Sequence, residues 1–289
     1  MTFEQLQSVD GASSALAGEG YLADRPLSLA VFLGAALEQP LLLEGEAGVG
    51  KTEVARALAA STGARLIRLQ SHEGIDLHHA VYDWDYPRQL LALRAAEGGV
   101  DEGELFSRRF LLRRPLLEAL EHDGPVVLLI DEIDRADDEF EAFLLEVLSD
   151  FQVSIPEIGT IKAPSPPLVV LTSNRTRELH DALKRRCLYH WIGYPAAERE
   201  VEIVLIREPG VSAALARKVV AAVHRLRRLD LAKPPGVAET IDWARTLDFL
   251  GETDLHAASA QDTLGAVVKD RDDLEVVLEN LEEITSGAS

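Results

Sequence analysis

The chain has 289 residues, of which 47% are hydrophobic, and its 29 basic and 49 acidic side chains give a formal net charge of −20. This length suits one large domain plus a smaller one, and the negative charge disfavours nucleic-acid binding, which depends on neutralising phosphates with Lys and Arg. No apolar run approaches the roughly 18 residues that span a bilayer, and the start MTFEQLQSVDG lacks the features of a secretory signal, so we expect a cytoplasmic protein without a membrane span.

The first predicted strand, residues 41–43, leads into a glycine-rich loop and then a helix-like stretch. The loop fits the pattern G-x-x-x-x-G-K-[ST], in the strand-then-helix context that a phosphate-binding loop requires, at Gly45, Gly50, Lys51 and Thr52. Because a helix N-terminus contributes only about half a charge, we expect Lys51 and a metal ion held by the Thr52 hydroxyl to balance the phosphates. A glycine-rich surface turn is the alternative, since the bare pattern would arise by chance in roughly one chain of this length in a hundred.

Further β-rich runs alternate with helical segments along the chain, at residues 65–69, 126–130, 168–172 and 188–192. Continuous apolar runs such as VVLLI suit strands covered on both faces, so the alternation predicts an α/β fold with a mostly parallel sheet. After Tyr194-Pro195 the apolar spacing becomes helical, which predicts an all-helical second domain.

The predicted domain organisation follows from this change of pattern. We expect an N-terminal segment at residues 1–20, an α/β nucleotide-binding domain at residues 21–195 and a helical domain at residues 196–289. Only the tail SGAS is predicted to be disordered.

A pair of acidic residues, Asp131 and Glu132, follows the apolar run VVLLI. Side chains at that point emerge at the C-terminal edge of the sheet, where ligands bind in open α/β folds. We expect Asp131 to hold Mg²⁺ together with Thr52, and Glu132 to orient and polarise an attacking water. The alternative is a pair of acidic residues on a solvated turn, and it is disfavoured because the two residues follow an apolar strand.

Polar residues also end the next apolar run, PLVVLTSNR. Asn174 is a candidate second holder of the water, although asparagine at a strand end is more often a turn former. Further on, Arg185 and Arg186 are adjacent. An arginine donated into a neighbouring subunit's site accelerates phosphoryl transfer by about 10³- to 10⁵-fold, whereas a basic helix end favoured by the dipole is an equally good interpretation from position alone.

The single cysteine, Cys187, excludes an internal disulfide and a multi-cysteine metal site and fits a reducing compartment. A buried inert thiol is favoured over a reactive one. The eight histidines show no ligand spacing, because His78 and His79 are adjacent and cannot share a helix face. We predict no metal beyond Mg²⁺.

Taken together, GEAGVGKT, LLIDEIDRAD, VVLTSN and the Arg-Arg pair before a strand and a Tyr-Pro resemble the AAA+ ATPases, and within them the MoxR type. The stretches RLIRLQSHEGIDLHHAVYDWDYPRQL and DFQVSIPEIGTIKAPSPPLVVLTSNRTREL are similar to the branch associated with carbon monoxide dehydrogenase maturation and with von Willebrand factor A (VWA) domain partners. The resemblance covers about residues 20–250. It implies a P-loop core with a helical lid, a usually hexameric homo-oligomeric ring, and Mg²⁺-dependent ATP hydrolysis coupled to remodelling or metal insertion in a client enzyme.

The same resemblance assigns roles residue by residue. Lys51 and Thr52 match Walker A, Asp131 and Glu132 match Walker B, and Asn174 matches sensor 1. The nucleotide-binding set that it implies is Gly45, Glu46, Ala47, Gly48, Val49, Gly50, Lys51, Thr52, Glu53, Asp131 and Arg245.

Two assignments depend on alignment with the family rather than on the motifs. The alignment places Arg186, rather than Arg185, at the arginine finger. The lid departs from the family pattern, because Glu239 and Thr240 stand where MoxR proteins commonly place the sensor 2 arginine; Arg245 is the candidate substitute.

Two insertions of this family type are also predicted. Residues 83–90 mix Trp84 and Tyr86 with polar groups, as suits either a partner-binding surface or a loop pinned by its own aromatics. Residues 151–161 alternate like a hairpin and resemble the pre-sensor hairpin that lines such rings.

Two functional hypotheses remain. The first is a ring ATPase that remodels or matures a client, and it is favoured by Glu132, Asn174 and Arg186. The second is a nucleotide-gated binding module that recruits a VWA protein with little sustained turnover. A small-molecule kinase or GTPase would share Walker A, but the sequence lacks an N/T-K-x-D guanine signature, and a DNA motor is disfavoured by the charge.

Overall fold

The computed structural model describes residues 3–95 and 102–285, so the tail SGAS lies outside the described residues. The chain divides into two compact units. The first consists of Met1–Glu19, Ala23–Glu44 and Thr52–Trp191, and the second of Gly20–Leu22, Gly45–Lys51 and Ile192–Ser289, as far as these residues are described. The glycine-rich loop thus belongs to the second unit, together with the helical C-terminal region.

The strands, in chain order, are β1 (Leu41–Gly45), β2 (Arg65–Gln70), β3 (Tyr82–Trp84), β4 (Leu111–Arg113), β5 (Val126–Asp131), β6 (Gln152–Ile155), β7 (Gly159–Lys162), β8 (Leu168–Ser173) and β9 (Leu188–Ile192). The first unit is built on a five-stranded sheet with the order β2-β5-β8-β1-β9. The pairs β2–β5, β5–β8 and β1–β8 are parallel. The five strands predicted for this sheet are all present, and four of them extend one or two residues further than predicted.

The helices, in chain order, are α1 (Val9–Gly18), α2 (Arg25–Leu37), α3 (Lys51–Thr62), α4 (Leu77–Ala80), α5 (Tyr86–Ala95), α6 (Glu102–Leu105), α7 (Pro115–Glu121), α8 (Asp138–Asp150), α9 (Asp181–Arg186), α10 (Ala197–Arg207), α11 (Ala213–Leu226), α12 (Val237–Phe249), α13 (Ala257–Val267), α14 (Arg271–Glu279) and α15 (Leu281–Thr285). Short 3₁₀ turns lie at Glu4–Leu6, Arg108–Phe110 and Ile133–Arg135. Several helices begin at a side-chain cap: Asp24, Asp137 and Ser212 each accept a hydrogen bond from a backbone N–H three residues on, which satisfies a donor that the helix leaves unpaired.

Every residue of β5 and of β8 is buried, because these central strands are covered on both faces. In register, Gln70 lies opposite Asp131, and Leu43 lies opposite Thr172. The polar residues that end neighbouring strands therefore meet at one edge of the sheet. This arrangement places the candidate site.

In the second unit, α10 to α15 surround a core that includes the fully buried Trp243, whose indole Nε1 donates to Thr263 Oγ1 at 2.7 Å. An ionic group is also buried here. Glu200 has no exposed surface and accepts two hydrogen bonds from Arg227, at 2.7 and 2.8 Å, and one from Thr240 Oγ1 at 2.6 Å. A buried carboxylate needs hydrogen bonds and a nearby cation to offset its loss of water. These contacts connect α10, the end of α11 and α12.

The two predicted insertions differ in how they fold. In the first, Trp84 is only 5% exposed, and its ring packs edge-on against Phe106 with centroids 5.3 Å apart. Tyr86, in contrast, is 54% exposed. Trp84 therefore stabilises its own segment, and of these two aromatic side chains Tyr86 is the one at the surface. The second insertion forms the predicted hairpin, β6–β7, with Gln152 opposite Lys162.

In the two described stretches of chain, we find no helix that combines the length and the apolar character needed to cross a membrane.

Candidate functional site

The glycine-rich loop after β1 folds around the lysine side chain. Gly48 and Gly50 have φ values of +74° and +93°, which glycine adopts without strain. Lys51 is 6% exposed, and its Nζ donates to the carbonyl oxygens of Gly45, at 2.7 Å, and Glu46, at 2.6 Å. A Cβ placed on Gly45 would lie 2.1 Å from the Ile192 carbonyl oxygen. The loop conformation therefore requires its glycines.

Three further members of the predicted nucleotide-binding set lie within this loop, and Glu53 follows it directly. Glu46 and Ala47 are exposed and Val49 is buried. Glu53 lies in the first turn of α3, with its carboxylate 3.9 Å from the Arg56 guanidinium.

The start of α12 packs on the same loop, within the second unit. The Val237 backbone N donates to the Gly48 carbonyl oxygen at 2.9 Å. The Glu239 carboxylate accepts a hydrogen bond from Gly236 N at 2.9 Å, and a Cβ placed on Gly48 would lie 3.0 Å from Glu239 Oε2. Glu239, which stands where the family resemblance expects the sensor 2 arginine, therefore lies beside the loop.

The candidate substitute, Arg245, lies further along the same helix. It is eight residues beyond Val237, or about 12 Å along the helix axis. Its side chain is 67% exposed, and its Nη1 is 4.0 Å from Glu208 Oε1. The structure thus pairs Arg245 with Glu208 and places it away from the Val237–Gly48 contact.

We expect Gly236→Ala to destabilise the second unit by about 1–3 kcal/mol, because added atoms in a close contact force the backbone apart. The new Cβ would lie 2.6 Å from Gly48 Cα and 2.9 Å from the Ala47 carbonyl oxygen. Denaturant unfolding measures the loss. Gly265→Ala is the matched control, since its Cβ meets no atom within 4 Å and alanine favours a helix interior by about 0.5–1 kcal/mol. Equal stability of the two variants would contradict the close contact.

In the first unit, the Asp131 carboxylate is buried at the end of β5 and contacts three side chains. Its Oδ1 accepts hydrogen bonds from Thr52 Oγ1, at 3.0 Å, and from Thr172 Oγ1, at 2.5 Å. Its Oδ2 accepts from Arg68 Nε, at 3.0 Å, and from Arg68 Nη2, at 2.5 Å. The two predicted metal ligands, Thr52 and Asp131, are therefore brought together, and their hydroxyl and carboxylate oxygens are the donors that Mg²⁺ prefers.

Glu132 lies at the start of the 3₁₀ turn with φ of +54°, an uncommon conformation for a residue other than glycine. Its backbone N donates to Thr172 Oγ1 at 2.9 Å. Its Oε2 accepts hydrogen bonds from Gln70 Nε2, at 3.1 Å, and pairs with Arg135 Nε, at 3.0 Å. Its Oε1 faces Asn174 Nδ2 at 3.4 Å. The structure thus brings together the two side chains predicted to hold the water.

Four residues that contact Asp131 or Glu132 were not among the predicted site residues: Arg68, Gln70, Arg135 and Thr172. Arg68 and Gln70 occupy alternate positions of β2, so their side chains share one face of the sheet. The alternation is visible in RLIRLQ, but the pattern alone does not show that β2 pairs with the strand that carries Asp131.

The predicted arginine finger lies on the short helix α9. Arg185 and Arg186 are both exposed, and Arg186 Nη1 donates to the Leu145 carbonyl oxygen at 3.3 Å. Burial raises the pKa of the adjacent Cys187 thiol to about 12, so this cysteine is protonated at neutral pH and is a poor nucleophile.

Comparisons with known proteins identify the family and the fold of the chain. The family model described as "ATPase family associated with various cellular activities (AAA)" matches residues 41–192. The chain is 32% identical over 114 residues to the ClpA homolog protein of Fuscovulum blasticum, which covers 38% of this chain and 12% of that protein. It is 29% identical over 148 residues to midasin of Dictyostelium discoideum, which covers 51% of this chain and 2% of that protein. The chain therefore spans only a small part of these relatives.

Solved structures show the same fold. Two mutant forms of RuvB from Thermotoga maritima superpose with TM-scores of 0.50, at 17% and 18% identity, and cover 97% and 99% of this chain and 81% of each RuvB chain. The predicted fold class, a P-loop AAA+ core with a parallel sheet and a helical C-terminal region, is confirmed. Because the family match spans more than half of the sequence, the protein belongs to the AAA family of ATPases.

Proposed function

We propose that this protein is a MoxR-type ATPase that hydrolyses ATP with Mg²⁺ as a homo-oligomeric ring of six subunits. We also propose that it remodels or matures a client enzyme together with a VWA-domain partner. Membership of the AAA family supports ATP hydrolysis in general. The observation that carries the proposal is the position of Glu132 between Asn174 and Gln70, next to the Thr52–Asp131 pair. The MoxR branch, the partner and the client rest on the sequence resemblance.

In this proposal the loop binds the phosphates through its backbone N–H groups and through Lys51. The Lys51 ammonium, which contacts the carbonyl oxygens of Gly45 and Glu46, would exchange them for phosphate oxygens. Thr52 and Asp131 would hold Mg²⁺, which when bound neutralises phosphate charge. We further propose residues 21–195 as the nucleotide-binding domain, residues 196–289 as the lid and residues 1–20 as an N-terminal segment.

Hydrolysis in this proposal depends on Glu132. One of its oxygens, Oε2, contacts Gln70 and Arg135, whereas the other, Oε1, contacts Asn174 Nδ2 at the longer distance of 3.4 Å. Oε1 is therefore the oxygen proposed to accept a proton from water, with Asn174 as the second holder. Arg186, exposed at the end of α9, would act in the site of a neighbouring subunit, and Arg245 stays the candidate for sensor 2.

A nucleotide-gated binding module with little sustained turnover is the second candidate. The contacts of Gln70 and Arg135 with the Glu132 carboxylate favour this candidate. A general base that already accepts hydrogen bonds from two donors takes a proton from water more slowly. The module would bind ATP and recruit its partner without rapid hydrolysis.

The experiment that tests the proposal measures ATP binding and phosphate release per subunit as the protein concentration is raised through assembly. We expect ATP to bind with Mg²⁺ and turnover per subunit to rise on assembly. Tight binding with negligible release at every concentration would favour the binding module. A protein that binds no ATP would overturn both candidates.

A further inference from the structure

Arg68, on β2, links the two acidic residues at the end of β5. Its guanidinium donates to Asp131 Oδ2 through both Nε, at 3.0 Å, and Nη2, at 2.5 Å. The same Nη2 also donates to Gln70 Oε1, and Gln70 Nε2 donates to Glu132 Oε2 at 3.1 Å. A continuous path of hydrogen bonds therefore runs from Asp131 to Glu132 through Arg68.

The charge of Arg68 offsets that of Asp131. The Asp131 side chain is 4% exposed, whereas the Arg68 side chain is 46% exposed. A carboxylate removed from water in this way needs a cation nearby, and Arg68 supplies two charge-assisted hydrogen bonds, both of them to Oδ2. A divalent cation at Thr52 and Asp131 would interact with the same carboxylate charge and would therefore compete with Arg68.

Arg68 also determines which end of the Gln70 amide faces Glu132. A guanidinium carries only donors, so its contact with Gln70 requires the amide oxygen on that side. The amide nitrogen must then point toward Glu132, where it donates to the carboxylate. In the reversed orientation the amide oxygen would face the Glu132 oxygen, which is repulsive.

We infer that Arg68 is a positioning residue of the proposed ATPase: it neutralises Asp131 while no divalent cation is bound, and it sets the direction in which Gln70 holds Glu132. This inference rests on the proposed function. It follows that the effect of Mg²⁺ on ATP affinity should depend on Arg68, because two cations that share one carboxylate weaken each other's effect.

The test compares the dissociation constant for a fluorescent ATP analogue in EDTA with that in Mg²⁺. In Arg68→Met the uncompensated Asp131 carboxylate should repel metal-free nucleotide. The ratio of the dissociation constant in EDTA to that in Mg²⁺ should therefore rise about fivefold or more over wild type. Arg65→Met is the matched control, since Arg65 lies on the same strand, is similarly exposed and pairs with Glu118 instead. Its ratio should equal that of wild type.

Arg68→Lys separates the two parts of the inference. A lysine retains the charge, so the ratio should stay near wild type, but a single ammonium cannot reproduce the planar contact with Asp131 and Gln70, so turnover should fall. An unchanged ratio in Arg68→Met, with an unfolding midpoint equal to that of wild type, would overturn the charge role. Wild-type turnover in Arg68→Lys would overturn the orienting role. If wild type itself binds no ATP, the proposed function fails instead.

Discussion

Glu132→Gln will lower ATP turnover by about 10²- to 10⁴-fold, the usual contribution of a general base, while ATP binding stays near that of wild type. Glutamine has the shape of glutamate but cannot accept the proton of the attacking water. The Glu132 backbone contact to Thr172 does not depend on the side chain, so the local fold should persist. Single-turnover phosphate release, with a separate equilibrium measurement of ATP binding, distinguishes the chemical step from the binding step.

Glu139→Gln provides the control for this experiment. Glu139 lies a few residues further on, is exposed at the start of α8, and loses the same charge on substitution. Its turnover should match wild type, which shows that the loss in Glu132→Gln is not a general effect of one fewer acid. Wild-type turnover in Glu132→Gln would exclude Glu132 as the base and favour the binding module.

Arg186→Ala will remove most of the ATP turnover of the assembled protein, by up to about 10³- to 10⁵-fold if it acts as an arginine finger. The guanidinium would stabilise charge on the transferred phosphoryl group in a neighbouring subunit, so its loss affects hydrolysis much more than nucleotide binding. Turnover per subunit, followed as protein concentration rises through assembly, measures the effect. Arg185→Ala is the matched control, because both arginines are exposed at the same end of α9.

A mixing experiment shows whether Arg186 acts between subunits. Arg186→Ala subunits retain Glu132, and Glu132→Gln subunits retain Arg186, so each variant carries the group that the other lacks. Mixed assemblies should therefore regain turnover that neither variant shows alone. Failure to complement, with both variants still assembling, would contradict the transfer of Arg186 into a neighbour's site, and equal turnover of Arg186→Ala and wild type would exclude Arg186 as the finger.

Much of the α/β core was predictable, because its signals are local. Runs such as VVLLI mark strands that are buried on both faces, and the glycines at 45, 48 and 50 mark a loop with unusual backbone angles. The pairing of Thr52 with Asp131 also follows from the motifs, since parallel strands end at one edge of the sheet.

The partners of the acidic pair were not predictable in the same way. The register that sets Gln70 opposite Asp131 is a relation between strands far apart in the chain, and no spacing within RLIRLQ encodes it. Likewise, the sequence left open whether Trp84 lies on a partner-binding surface or pins its own loop, and the structure shows it buried with Phe106 packed against it.

The amino-acid sequence thus specified the strands, the glycine-rich loop and the acidic and polar side chains of its motifs, because periodicity and glycine placement are patterns over a few residues. The folded chain was needed to show that Arg68 joins Asp131 to Gln70, and that Glu239 lies beside Gly48. These contacts depend on strand register and on the packing of helices, which arise from interactions between residues distant in the chain.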